Sequence, residues 1–291
     1  MSSRVGRSAP ARGEPSTAPV PRAPAGSSSA RSQEIRLRTG LLWSLYGVWL
    51  RHVQVYRQSL AANALPPVLE PLFFFSAVAF GLGPYLPSFE GMPYRAFIAS
   101  GLVVASAMFT SSFETTYGTF IRLVFQRTYD SMLGTHLRVS EMFVGELLFT
   151  ATKGFAFSAV VMLVTALFGV RLNVWCALVP LVGAATGYLF GALGLVVCSY
   201  VKTINNFNFF LTGVISPMFF FSGTFFPIHG IHPALDVVSQ LVPLTHAVAL
   251  SRALFDGRFT LETLWHLGAV VVFLLVLHLV AVARMRRRVI G

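Results

Sequence analysis

Residues 142–169 read MFVGELLFTATKGFAFSAVVMLVTALFG, a run in which Glu146 and Lys153 are the only charged side chains. Such a run exceeds the ~20 residues that carry an α-helix across ~30 Å of hydrocarbon, where each backbone amide must be satisfied within its own segment. Five more stretches share its character, at about 66–86, 97–119, 175–198, 207–226 and 264–283. The reading is an all-α polytopic membrane protein with six transmembrane helices. Composition agrees: of 291 residues 55% are hydrophobic and 11% charged, with a mean hydropathy of +0.68, whereas soluble globular proteins carry roughly 25% charged residues. A water-soluble surface of ordinary size cannot be made from that supply.

The 22 basic residues outnumber the 11 acidic ones and give a net charge of +11. They lie mostly outside the apolar runs, so they read as an orientation signal and not as a nucleic-acid surface. With the amino terminus inside, seventeen Lys and Arg fall on the cytoplasmic side and four (Arg95, Arg171, Arg252, Arg258) on the other. That asymmetry predicts a multi-pass protein of the bacterial cytoplasmic (inner) membrane with both termini cytoplasmic. The two cysteines, Cys176 and Cys198, would lie ~33 Å apart on one spanning helix at 1.5 Å per residue and could not bridge.

Three segments follow. Residues 1–33, built from Ser, Pro, Ala, Gly and Arg, predict a disordered basic tail without the apolar core of a signal peptide. Residues 34–62 contain Leu41, Leu42, Leu45, Val48, Trp49, His52, Val53 and Tyr56 at helical spacing, with Ser44, Gly47, Arg51, Gln54 and Gln58 opposite. This pattern predicts an amphipathic helix lying in the membrane interface or packed as a surface helix on other protein. Residues 63–291 form the six-span domain. Within it Pro227–Glu262 is too polar to span and too apolar for a free loop, which predicts short helices at or dipping into the outer membrane surface before the last span.

Charges inside spans are costly, and four remain: Glu70, Glu114, Glu146 and Lys153. The three glutamates fall about 4 to 5 residues inside the cytoplasmic ends of their helices, roughly 6 to 8 Å deep. They would either pair with arginines and lock helices together or serve gating and substrate contact. The 120–140 loop places Phe125, Tyr129, Met132, Leu133 and Leu137 on one side of a short helix and Arg122, Gln126, Arg127, Asp130 and Arg138 on the other. Either a soluble partner or lipid phosphates could meet that polar side. His229 and His232 lack a carboxylate or thiolate companion, so no metal site is expected. The phenylalanine runs at 73–75, 219–221 and 225–226 read as lipid-facing bulk or as an aromatic lining suited to acyl chains and sugar faces. The one Lys followed by Ser or Thr is Lys202-Thr203, preceded by Val201, so there is no P-loop and ATP-driven work would need a partner chain.

The sequence resembles the permease subunits of type-2 ABC exporters over roughly residues 40–285, and within them the lipooligosaccharide, or nodulation-factor, exporter branch. The segments carrying the resemblance are Phe113-Glu114-Thr115 with Tyr117, the run from Gln126 through Arg127, Thr128 and Asp130 to Met132-Leu133, Gly145-Glu146, Ala151-Thr152-Lys153, Ser222 to Pro227, and Leu241-Val242-Pro243-Leu244-Thr245-His246. The resemblance implies a homodimer in membrane lipid and two separate ATP-binding cassette ATPase subunits, which hold ATP and Mg while this chain binds no cofactor. It also implies export of an amphipathic glycolipid or oligosaccharide. It assigns the 124–138 helix to coupling with the ATPase, through Arg122, Gln126, Arg127, Thr128, Asp130, Met132, Leu133 and Arg138. Pro227, Pro243, Thr245 and His246 would belong to the end of the fifth span and an outer re-entrant motif. Related branches export drugs or antibiotics with the same architecture. An ion-coupled secondary transporter using Glu114, Glu146 and Lys153 is the alternative of another class, although no convincing internal repeat supports it.

Overall fold

A computed structural model describes residues 40–58, 60–86, 88–89, 91–135, 137–228 and 232–290, with side chains in 60–70 described at Leu65 and Leu69. The expected 1–33 tail and the side chain of Glu70 therefore lie outside the described residues.

The first helix, α1, spans Leu41–Gln58, within the 34–62 segment expected to hold an amphipathic helix. Its buried stripe is Ser44, Val48 and His52, one turn apart each. Leu41, Leu42 and Trp43 are exposed, so the helix rests on protein along one stripe and keeps an apolar margin outside it. The stripe seats on α5 (Val139–Leu167), where a side chain at Gly145 would collide with Val48 at 2.7 Å. Trp49 Nε1 donates to Thr152 Oγ1 at 3.0 Å.

Helix α2 covers Leu60–Gly81, and a two-residue hairpin pairs Ser88–Phe89 with Met92–Pro93. Four helices are long and apolar enough to cross a bilayer among the described residues: α3 (Tyr94–Phe125), α5, α6 (Val174–Tyr200) and α11 (Leu261–Ile290). Between α3 and α5 lies the short α4 (Thr128–Leu133). Of the two other expected spans, the first falls largely within the 22-residue α2 and the fifth is interrupted. The fifth runs as α7 (Phe207–Phe210), a π turn (Leu211–Ile215) and α8 (Ser216–Phe220). Fourteen helical residues rise only about 21 Å, which is short of the hydrocarbon thickness.

The expected outer helices are α9 (Pro233–Leu241) and α10 (Pro243–Asp256), meeting at a 91° bend. Pro243 sits in the first turn of α10, where its missing N–H is no loss, and it bars continuation of α9. The pair counts either as one broken span or as a re-entrant loop.

Helices α3, α5 and α6 make the centre. Gly183 and Gly187 of α6 face α5 so closely that an added Cβ would lie 1.9 Å from Ser158 Oγ at the first position and 2.7 Å from the Thr150 carbonyl oxygen at the second. Small residues permit this approach, which replaces the hydrophobic drive missing between helices in lipid. At the start of α6, Asn173 Oδ1 accepts from the amides of Trp175 and Cys176, while its Nδ2 donates to the carbonyls of Leu254 and Phe255. One side chain thus caps α6 and ties down the end of α10. Cys176 and Cys198 are free and buried.

Candidate functional site

The last third of α3 carries two π turns, Glu114–Gly118 and Ile121–Phe125. Such local widening of a helix is frequent at functional sites because it redirects side chains without ending the helix. Here it accompanies a cluster in which Glu114, Thr119 and Arg122 of α3 meet Glu146 and Lys153 of α5.

Arg122 is the hub. Its Nη1 donates to Glu114 Oε1 at 2.8 Å, and its Nη2 pairs with Glu146. Its Nε approaches Tyr129 Oη at 3.5 Å. Glu146 is wholly buried; one carboxylate oxygen accepts from Arg122 and Thr119, and the other accepts from Tyr129 Oη at 2.6 Å. On the far side of the hub, Lys153 Nζ donates to Glu114 Oε2 at 2.9 Å and lies 4.6 Å from the centre of the Tyr56 ring.

Two guanidinium or ammonium groups therefore face two carboxylates. Burying such ions is repaid only when each finds partners, so loss of any one leaves an uncompensated charge. Tyr129 holds its proton firmly, because burial and the adjoining Glu146 carboxylate both push its hydroxyl well above the ordinary value. It is a fixed donor.

A cavity of about 750 Å³ opens beside Glu114. Helix α1 contributes Arg51, His52 and Tyr56; α3 contributes Ser106, Thr110 and Glu114; Phe74, Phe109, Phe113, Phe149 and Phe219 give it aromatic walls. Burial lowers His52 to about 4 and, with help from Glu114, raises Tyr56 to about 12, so both are neutral near pH 7. His52 stacks on Phe149 at 5.3 Å between ring centroids.

Expectation and structure differ at several residues. Arg122, expected on the polar side of the 120–140 loop, is turned inward because α3 continues to Phe125 and brings it level with Glu146. Met132 is buried and Leu133 partly so, packed with Tyr129 against Met142, Phe143 and Leu147. The helix expected over 124–138 is thus reduced to α4. It is set off from α3 at Arg127, the one non-glycine residue with positive φ among the described residues, at 47°. Gln126, Arg127, Asp130 and Arg138 are exposed, with Thr128 half-buried beside them.

At the other end Pro243, Thr245 and His246 are buried, while Pro227 is half-buried and outside that helix. His246 shares a 2.8 Å contact between Nδ1 atoms with His266 of α11. No group of three or more His, Cys, Asp or Glu suited to a metal occurs among the described residues.

Sequence reasoning missed Tyr129, counted there with the apolar side of its helix, and Thr119. It also read His52 and Tyr56 simply as part of the apolar face of α1. The available signal was their spacing of four residues, which puts two polar-tipped rings on one face.

The ABC-2 type transporter family model matches residues 44–255. Nodulation protein J of Rhizobium leguminosarum bv. viciae is 33% identical over 252 residues, covering 86% of this chain and 95% of that protein. Nodulation protein J of Rhizobium meliloti (strain 1021) is 31% identical, covering 84% and 94%. The Inner membrane transport permease YadH of Escherichia coli (strain K12) is 23% identical, covering 85% and 96%. The family is the membrane component of exporters whose ATP hydrolysis is performed by a separate ATP-binding cassette subunit. The apolar helices of the core and these likenesses converge: the chain belongs to the ABC-2 type transporter family, as a multi-pass permease of an ABC exporter.

Proposed function

We propose that this chain is the membrane half of a bacterial exporter that carries an amphipathic lipooligosaccharide or related glycolipid out across the cytoplasmic membrane. It works as a homodimer above two ATPase subunits, with six passes and both termini cytoplasmic. The observation that carries this reading is the unbroken line of bonds from α4 to the cavity wall: Tyr129 to Glu146, Glu146 to Arg122, Arg122 to Glu114, Glu114 to Lys153.

The ATPase grips the exposed Gln126, Arg127, Asp130 and Arg138. Tilting of α4 pulls on Tyr129, which shares its apolar seat with Met132 and Leu133. Because the line is made of buried ions with fixed partners, displacement at one end is costly to absorb locally and reaches Glu114 at the other. The likeness to Nodulation protein J supports a glycolipid cargo, and a cavity combining hydroxyl-binding groups with aromatic walls suits one. Ion coupling is disfavoured, since Glu114 and Glu146 are both committed to ion pairs and offer no free carboxylate to a travelling proton.

The test is co-purification with the cognate ATPase. Wild-type chain is expected to retain it, and Arg127→Glu to stay in the membrane yet lose it. Unchanged complex yield for that variant would sink the docking assignment.

A further inference from the structure

Resting on the exporter reading for its setting, we propose that the cavity between α1 and α3 is a headgroup subsite for an amphiphile bearing a phosphate-type anion, with Arg51 meeting the anion. Polar groups of the cavity wall stand unmatched. His52 Nε2, Tyr56 Oη and Thr110 Oγ1 are buried and make no hydrogen bond within the protein, and all three residues line the same cavity. His52 is 3% exposed and Thr110 4%, so bulk water does not serve their side chains. Buried polar atoms of this kind are normally paired, and all three belong to residues of one cavity wall, where a rotation of each side chain would offer it to a hydroxyl-rich head.

The charges point the same way. Arg122 and Lys153, the other cations of the wall, are consumed by Glu114 and Glu146. Arg51 lines the cavity half-buried and makes no ion pair with a carboxylate among the described residues. Burial and the nearby Arg122 lower its pKa, and the Tyr129 hydroxyl and Glu146 carboxylate offset this only in part. A guanidinium so placed matches a phosphate-type oxyanion, which it binds with paired N–H donors. Phe109, Phe149 and Phe219 supply apolar walls for the first methylenes of a chain. A volume of about 750 Å³ lies within the range of drug-sized sites. The anion comes either from a bilayer phospholipid or from the exported glycolipid itself.

The experiment uses the full chain in nanodiscs of zwitterionic lipid and compares binding of palmitoyl lysophosphatidic acid with palmitoyl monoacylglycerol, which lacks the phosphate. Wild type is expected to prefer the phosphate by about tenfold or more. Arg51→Gln should abolish the preference, Arg51→Lys restore part of it, and Arg57→Gln, an exposed arginine on the same helix, leave it intact. Tyr56→Phe should weaken binding of both probes several-fold without changing their ratio. Unaltered melting temperature shows that the variants fold. Displacement of the probe by a few per cent phosphatidylglycerol assigns the anion to the bilayer; displacement by a phosphorylated glycolipid alone assigns it to cargo. Either supports the site. Equal binding of the two probes to wild type, or an equal loss in Arg57→Gln, overturns it. If the exporter reading fails, ATPase-dependent transport disappears while the preference stands; if this inference fails, transport proceeds with no preference.

Discussion

Tyr129 Oη donates to Glu146 Oε2 at 2.6 Å, joining a residue of the short α4 to a carboxylate buried in the spanning α5. In the proposed coupling, the bond is the junction between the exposed face of α4 and the charges beside the cavity. Replacing it with an apolar contact tests transmission with little change of shape. Tyr129→Phe is expected to cost about 1.5–3 kcal/mol of stability, the range for a hydrogen bond to a charged group. The ATPase should still bind, but less cargo should move per ATP hydrolysed, measured by transport and phosphate release on the same vesicles. Equal coupling in the variant would remove the junction from the mechanism.

Removing Glu146 should be harsher. Glu146→Ala leaves Arg122 with one carboxylate in a buried setting, and breaking a buried pair from one side costs roughly 3–5 kcal/mol. Thermal unfolding in detergent should show a large drop in Tm; a drop no greater than that of an exposed control such as Glu262→Ala would contradict the buried geometry.

Glu114 and Lys153 should be energetically coupled. Glu114→Gln strands the Lys153 ammonium 2.9 Å from a neutral amide, and Lys153→Met removes the stranded charge. A double-mutant cycle read by Tm is expected to show that the double variant is less damaged than the sum of the single ones, by about 0.5–3 kcal/mol. Strict additivity would mean that the two act independently.

Much of this site could be read before the fold was known. The charges of Glu114, Glu146 and Lys153 stand out because the runs around them are apolar, and Val48 and His52, marked by the helical spacing of the sequence, lie on the buried stripe of α1. What could not be read was who pairs with whom. Lys153 lies two turns from Glu146 along one helix face, yet it binds Glu114 of α3, because Glu146 is already taken by Arg122 and Tyr129. Arg122 seemed a loop residue, since no sequence signal marks a helix that persists through two π turns and breaks only at the left-handed Arg127. The same blindness applies to 207–226, where apolarity is continuous but the helix ends at Phe220 and turns and bends follow.

The docking of α1 should depend on pH. Burial holds His52 at about 4 when folded, below the ~6.5 of a free histidine. The neutral ring therefore favours the docked helix fully above pH ~6.5, and this contribution is lost as pH falls from there towards 4, by about 3 kcal/mol at most. Hydrogen exchange over α1 should quicken across that window in wild type and not in His52→Phe. Exchange independent of pH, after correction for the intrinsic rate, would contradict the burial.

The central claim is that this permease moves an amphiphile only when a separate ATPase drives it. Its most direct measurement is uptake of a labelled lipooligosaccharide into inside-out vesicles holding the chain with and without its ATPase, in the presence of ATP and with or without a protonophore. Uptake should need both the ATPase and ATP and be unchanged when the proton gradient collapses. Uptake that persists without the ATPase and stops with the gradient would contradict it.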